Sequence, residues 1–203
     1  MKKVAADSTG TARAFIKSRG GIFRTSEALK AKIHPRTLYQ LRDAGEIEEI
    51  SRGLYKLSEV DISQPDFVTV ALKIPEGVIC LVSALAFHGI TTQIPHKVFV
   101  AVKQGARTSS IDFPPLSVHH FSPDGYIAGI ETHKIDKVQV KIYSVEKTLV
   151  DCFKFRNKIG MDVFLEALKF YKSRKKIRVK QILDFAKTCK VETVMRPYIE
   201  TLI

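Results

Sequence analysis

Residues 25–56 constrain this chain more than any other stretch. They read TSEALKAKIHPRTLYQLRDAGEIEEISRGLYK. Two short helical patterns precede two short strand patterns around a glycine, the order of a helix-turn-helix followed by a β-wing. The first helix takes Thr25 or Ser26 as its N-cap and carries Ala28, Leu29 and Ile33 on one face. The second starts at Pro35, whose missing amide hydrogen suits the first helical position. Leu38 and Leu41 turn inward, leaving Arg36, Thr37, Tyr39 and Gln40 on other faces, and Gly45 is the expected C′ residue. Runs at 47–50 and 54–57 flank Ser51-Arg52-Gly53 as a hairpin.

The side chains of that second helix carry the functional reading. Arginine reads guanine and glutamine reads adenine in a major groove. Arg36, Thr37, Tyr39 and Gln40 form such a set near a helix N-terminus, which itself favours a nearby phosphate. His34 can contact phosphate or base, Thr25 and Ser26 stand at the mouth of the preceding helix, and Arg52 and Lys56 of the wing can hold backbone or enter the minor groove. The acids Glu46, Glu48 and Glu49 must then point away from phosphate. The bland alternative is a winged helix that contacts protein.

The surrounding chain completes this unit. Residues 9–18 are expected to form a helix through Ala12, Phe15 and Ile16, and Ile22-Phe23-Arg24 a short strand pairing with the wing. The result is a winged-helix domain over residues 1–60, a normal size. Residues 58–64 are polar and read as a linker, and a second domain spans 65–203. In that second domain Pro65 opens a helix, 78–82 is either a strand or a helix start, and Ser83 can cap a buried helix over 84–88 that Gly89 stops. Strands follow at 97–103 and 116–121, and a hairpin at 129–143. Ser144 caps a helix whose buried face includes Leu149, Val150 and Phe153. Helices at 161–173, 179–188 and 191–202 close the chain, with Pro197 breaking or kinking the last. The fold class is thus α+β: an N-terminal winged helix-turn-helix, then a mixed α/β domain with a β-rich middle and a helical cluster at the C-terminus.

Charge supports a polyanionic partner without locating it. The chain of 203 residues carries a net +12, which favours nucleic acid. Residues 1–60 hold 12 Lys/Arg against 7 Asp/Glu, a net of +5, and the rest hold 21 against 14, a net of +7. The second excess peaks between 154 and 180, where ten Lys/Arg face only Asp162 and Glu166. Its centre is Lys172, Arg174, Lys175, Lys176, Arg178 and Lys180, read either as a solvated loop or as a second phosphate-binding or acidic-partner patch.

Other classes are disfavoured. Cys80, Cys152 and Cys189 lie far apart, with no CxxC pair to suggest zinc or a disulfide framework. The start, MKKVAADSTG, has no apolar secretion core, and the run 78–87 is too short to span a bilayer, so a soluble, cytoplasmic protein is expected. His88 reads as a structural histidine. His119 and His120 point to opposite faces of a strand and do not suit one metal ion. The best enzyme alternative is a metal-dependent nuclease of PD-(D/E)xK type. It rests on Pro123-Asp124 and Gln139-Val140-Lys141, with Gln139 a poor substitute for the second acid. Asp124 also sits in an ordinary turn sequence.

The layout resembles the AbiEi family of type IV antitoxins, which are also transcriptional regulators. The resemblance rests on GGIFRTSEALKAKIHPRTLYQLRDAGEIEEISRGLYKL in the first domain. In the second it rests on CLVSALAFHGITTQIP, KVFVAV and KIYSVEKTLVDCFKFRNKIG. It implies an N-terminal domain that binds inverted repeats in the promoter of a toxin–antitoxin operon. It also implies a C-terminal domain that counters a nucleotidyltransferase-like AbiEii toxin without requiring a stable complex. By the resemblance, the protein is not an enzyme and has no metal or cofactor of its own. Recognition falls on Arg36, Thr37, Tyr39, Gln40 and Arg52, and Ser83, His88, Lys147 and Asp151 match polar family positions of unassigned role.

Overall fold

The computed structural model describes residues 3–108, 111–174 and 176–201. The chain opens with α1 (Lys3–Ser18), β1 (Ile22–Arg24), α2 (Thr25–Lys30), α3 (Pro35–Asp43), β2 (Ile47–Ser51) and β3 (Leu54–Leu57). The three strands form an antiparallel sheet in the order β1-β3-β2, with Phe23 opposite Tyr55 and Glu48 opposite Lys56. This is a winged helix-turn-helix. One face of the sheet closes over a core of Ala12, Ile16, Phe23, Ala28, Ile33, Leu38, Leu41 and Ile47. Phe23 stacks on Tyr55, with ring centroids 5.7 Å apart.

Two local expectations change. Helix α2 begins at Thr25, so the cap position falls on Arg24, and the Glu27 carboxylate accepts the Arg24 amide hydrogen at 2.8 Å. Leu29 does not join the core: it is 47% exposed, while Ala28 and Ile33 are buried.

The second part runs α4 (Pro65–Lys73), β4 (Val78–Ile79), α5 (Leu81–Phe87), β5 (Val98–Lys103), β6 (Leu116–Phe121), α6 (Pro123–Ile127), β7 (Ile130–Ile135) and β8 (Val138–Tyr143). It ends with α7 (Val145–Lys154), α8 (Arg156–Ile159), α9 (Met161–Lys172), α10 (Val179–Thr188) and α11 (Glu192–Glu200). Its five strands order as β6-β5-β4-β8-β7, a mixed sheet with parallel pairs β5/β6 and β4/β8. Alternation splits each strand between two apolar layers. Val98, Val100, Val102, Val140 and Ile142 pack on the α4 side, against Val68, Val70 and Ile74. Ala101, Phe121 and Tyr143 pack on the other side, under the helical cluster of α5, α7, α9, α10 and α11. The run 78–82 is both things the sequence allowed: two strand residues, then a helix starting at Leu81. Ser83 is therefore inside α5 and not its cap; the N-cap is Cys80. Pro197 lies within α11, which continues past it.

The segment 58–64 is pinned. Ile62 packs into the same apolar layer as Ile22, Leu54 and α4. The Ser63 amide and hydroxyl both donate to Asp136, at 2.7 and 2.8 Å. The outer face of the winged-helix sheet is thereby buried against the second sheet's α4 layer. Among the described residues, no helix is long and apolar enough to cross a membrane.

Candidate nucleic-acid interface

Helix α3 is set up by three local devices. Pro35 occupies its first turn, and the His34 ring accepts the Arg36 amide hydrogen through Nδ1 at 3.1 Å, capping the helix. At the other end Gly45 adopts φ +71°, a left-handed conformation that favours glycine. It lets the Glu46 amide reach the Leu41 carbonyl and the Gly45 amide reach the Arg42 carbonyl, each at 2.9 Å, which satisfies the last turn. Between them, Thr37, Leu38 and Leu41 form the buried face.

That face decides which candidates reach solvent. Arg36, Tyr39 and Gln40 are exposed, Tyr39 by 51%. The Arg36 and Gln40 side chains enter no hydrogen bond or ion pair among the described residues. Thr37 corrects the expectation: it is 5% exposed and sits under the helix, where it cannot present its hydroxyl to a base edge. Arg42 was missed. Its guanidinium lies over the Tyr39 ring, 5.2 Å from the centroid, and pairs with Asp43 at 3.0 Å. The signal was present, since a residue three places after Tyr39 shares its face. The hydrogen bond that Arg42 donates to Asp43, and the charge of that carboxylate, hold the Arg42 pKa above the usual value.

The wing contributes less than its sequence promised. Ser26 is exposed, but the Thr25 hydroxyl donates to the Gly53 carbonyl at 3.4 Å and ties α2 to the hairpin tip. Arg52 is exposed at that tip, and its carbonyl accepts a hydrogen bond from the Lys73 ammonium on α4. Lys56 corrects a second expectation. It alternates with Tyr55 on β3 and so faces away from the helices, toward the side where its partner Ile22 is buried. Its ammonium bonds the Val60 carbonyl and pairs with Glu48, both at 3.0 Å.

The three acids are all engaged. Arg13 grips Glu46 with two hydrogen bonds of 2.6 Å, and Lys56 holds Glu48, so both carboxyls are kept below the ordinary range by their cations. Glu49 accepts the Gly53 amide hydrogen at 2.9 Å.

The second basic cluster is partly spent within the protein. Lys172 donates to the Thr201 carbonyl. Arg174 reaches the His88 carbonyl at 3.4 Å, and Arg178 approaches Glu146 at 3.9 Å. Lys176 and Lys180 are exposed; Lys175 lies outside the described residues. A cleft of about 270 Å³ opens here between Arg174, Lys176, Arg178, Tyr171, Glu131 and Glu146, so its cations face two carboxylates.

Ser83, His88, Lys147 and Asp151 are all engaged by partners within the second part. The Lys147 ammonium bonds both Asp151 oxygens at 2.6 Å, with both side chains fully buried, and lies 4.2 Å from the Tyr143 ring centroid. Burial pushes the Asp151 carboxyl upward, against the lysine beside it. Ser83 accepts the Phe99 amide hydrogen at 3.0 Å, and the His88 ring bonds the Tyr143 carbonyl at 2.7 Å. Of the residues in the nuclease alternative, Asp124 opens α6 at the surface, while Lys141 bonds the Pro75 carbonyl and pairs with Glu76 at 3.5 Å. No three His, Cys, Asp or Glu gather to hold a metal among the described residues.

Residues 11–58 match the family model described as transcriptional regulator, AbiEi antitoxin. The match covers α3 and the whole wing and agrees with the family that the sequence resembles. No curated protein is significantly similar to the chain. Among solved structures, the RV2827C protein from Mycobacterium tuberculosis has a similar fold, with a TM-score of 0.54 over 96% of this chain and 81% of that one. The two are 10% identical, so the likeness concerns architecture alone.

Proposed function

We propose, from an N-terminal segment that matches the AbiEi transcriptional regulators, that this chain is the DNA-binding antitoxin and autorepressor of a type IV toxin–antitoxin operon. Residues 1–60 act as the DNA-binding domain and residues 65–203 as the antitoxin domain. The observation that carries this reading is the exposed array Arg36, Tyr39 and Gln40 on a helix whose N-terminus is capped by His34. Arg36 supplies the paired donors that guanine's edge accepts, Gln40 supplies the donor and acceptor that pair with adenine, and Tyr39 and Arg42 form a flat cationic surface beside them. His34, Ser26 and Arg52 flank that array and fit phosphate contacts; Thr25 acts by bracing the wing. The cognate site is an inverted repeat in the operon's own promoter. The second domain counters a nucleotidyltransferase-like AbiEii toxin in the cytoplasm, without a stable complex being required. The protein performs no catalysis in this role and needs no cofactor.

Gel retardation with duplex DNA from upstream of the gene tests it. The chain should retard that duplex and not a scrambled one. Arg36→Ala and Gln40→Ala should each weaken the specific complex by about 1–3 kcal/mol. Equal retardation of both duplexes, unchanged in both variants, removes the regulator reading. Co-expression with the neighbouring toxin tests the antitoxin role: the full chain should restore growth, and growth arrest despite its presence refutes that half.

A further inference from the structure

A groove on the second sheet has no part in reading DNA through α3. It lies over the edge pair β5/β6, bounded by the loop 93–97 and by Lys158 and Ile159, and its volume is about 680 Å³. Small-molecule sites have volumes of roughly 300–1,000 Å³. Its floor is a pair of rings. Phe99 and His119 stack with centroids 5.7 Å apart and planes inclined by 23°, and Phe155 supports His119 edge-on at 5.2 Å. Phe99 and His119 are only half-buried, so ring surface remains open to the groove.

The rim is cationic. Lys97 and Lys158 are exposed, their ammonium groups 5.6 Å from the Phe99 centroid and 5.8 Å from the Phe155 centroid, and His96 stands beside Lys97. Among the described residues no Asp or Glu lines the groove, in contrast to the cleft at Arg174, where Glu131 and Glu146 offset the cations. Burial first, then the nearby Lys158, Lys97 and His120 charges, push the His119 pKa down. The shift favours the uncharged ring, which is bonded through Nε2 to the Ser117 hydroxyl at 3.1 Å. An apolar stacked pair under an uncompensated cationic rim suits a ligand that is flat and aromatic at one end and anionic at the other. An acidic peptide would satisfy the rim and leave the ring pair unused.

We propose that this groove binds a nucleotide, its base against the Phe99–His119 pair and its phosphate between Lys97 and Lys158. The nucleotide is either free or part of single-stranded RNA. Bases stack on aromatic side chains whatever their sequence, so the site selects nucleotides as a class.

Isothermal titration of the full chain carrying Arg36→Ala tests this with α3 disabled, so failure of operator binding does not affect the result. The titrants are uridine and adenosine 5′-monophosphates, adenosine, inorganic phosphate, hexauridylate RNA and hexaglutamate. Both monophosphates should bind saturably, one per chain, and shift the His119 ring-proton resonances. Adenosine and phosphate should each bind about tenfold more weakly, and adding Lys97→Ala or Lys158→Ala should weaken the monophosphates by about tenfold. Both lysines are exposed, so the melting temperature should not change. Hexauridylate much tighter than the monophosphate identifies the strand as the ligand, and equal affinity identifies the free nucleotide. The proposal is overturned if no nucleotide or RNA binds saturably at millimolar concentration. Binding that ignores both lysine substitutions, or hexaglutamate binding as well as the monophosphates, also overturns it.

Discussion

The winged helix and the second sheet treat charge in opposite ways. Around α3 the cations stay at the surface: Arg36 is exposed and unpaired among the described residues, and the nearby acids are occupied by Arg13, Lys56 and the Gly53 amide. Under the helical cluster a lysine is fully buried, held by Asp151 and by the rings of Tyr143 and Phe121. Gly129, just before β7, adopts φ +70° and approaches α7 so closely that a Cβ there would stand 2.6 Å from that of Lys147. A charge left bare at the surface is available to a partner. A charge buried with one counter-ion contributes little net stability, yet losing its partner is severe. The same residue types thus leave an exposed charged surface in one place and make a structural core in the other.

That contrast can be broken most forcefully at Lys147. Lys147→Ala leaves Asp151 buried without its cation and should cost about 3–5 kcal/mol in urea denaturation, while the double change Lys147→Met with Asp151→Leu should recover most of the loss. If the single change costs under about 1 kcal/mol, the pair is not the buried unit described here. At α3 the expectation inverts. Arg36→Ala and Gln40→Ala should leave the denaturation midpoint where it is while lowering operator affinity. Thr37→Val should leave base preference intact, because that side chain lies beneath the helix. Base preference altered by Thr37→Val would mean that the face reading bases is not the one assigned.

A smaller effect sharpens the comparison at the second basic cluster. If it meets DNA phosphate, Lys176→Ala should weaken all sequences alike and reduce the salt slope by about one. Arg178→Ala should do so less, since Glu146 already approaches that guanidinium. The smallest expected effect is in pH. Burial lowers the pKa of both His88 and His119, so the folded chain binds protons less readily than the unfolded one. Their contribution is complete above the ordinary histidine value of about 6.5 and is lost as pH falls through the depressed values. The melting temperature should therefore drop between pH 7 and pH 5, and drop less in His119→Phe, which keeps the stacked ring and removes the titration. An identical drop in both would assign the acid sensitivity elsewhere.

Much of the architecture was legible along the chain because local chemistry marks it. Pro35, Gly45 and the apolar pair Leu38 and Leu41 bracket α3, and valine alternation marks β5 and β8. The exposed part of the candidate interface was legible for the same reason. Thr37 was not, since a threonine at the margin of a helical face goes inward or outward according to what packs over it. Lys56 was misplaced because one residue of strand phase selects the face, and the burial of Ile22 and Leu54 against the second sheet sets that phase. The nucleotide-sized groove left no trace in spacing: Phe99, His119 and Lys158 come from β5, β6 and α8.

The sequence by itself determined the winged helix, most of the order of elements and the outward placement of Arg36, Tyr39 and Gln40 on α3, because each depends on neighbours within a few residues. Only the tertiary structure decided how charge was used. Whether Lys56, Lys147 or Arg178 meets solvent, a counter-ion or a carbonyl depends on which strand or helix lies opposite, and that partner comes from a distant part of the chain.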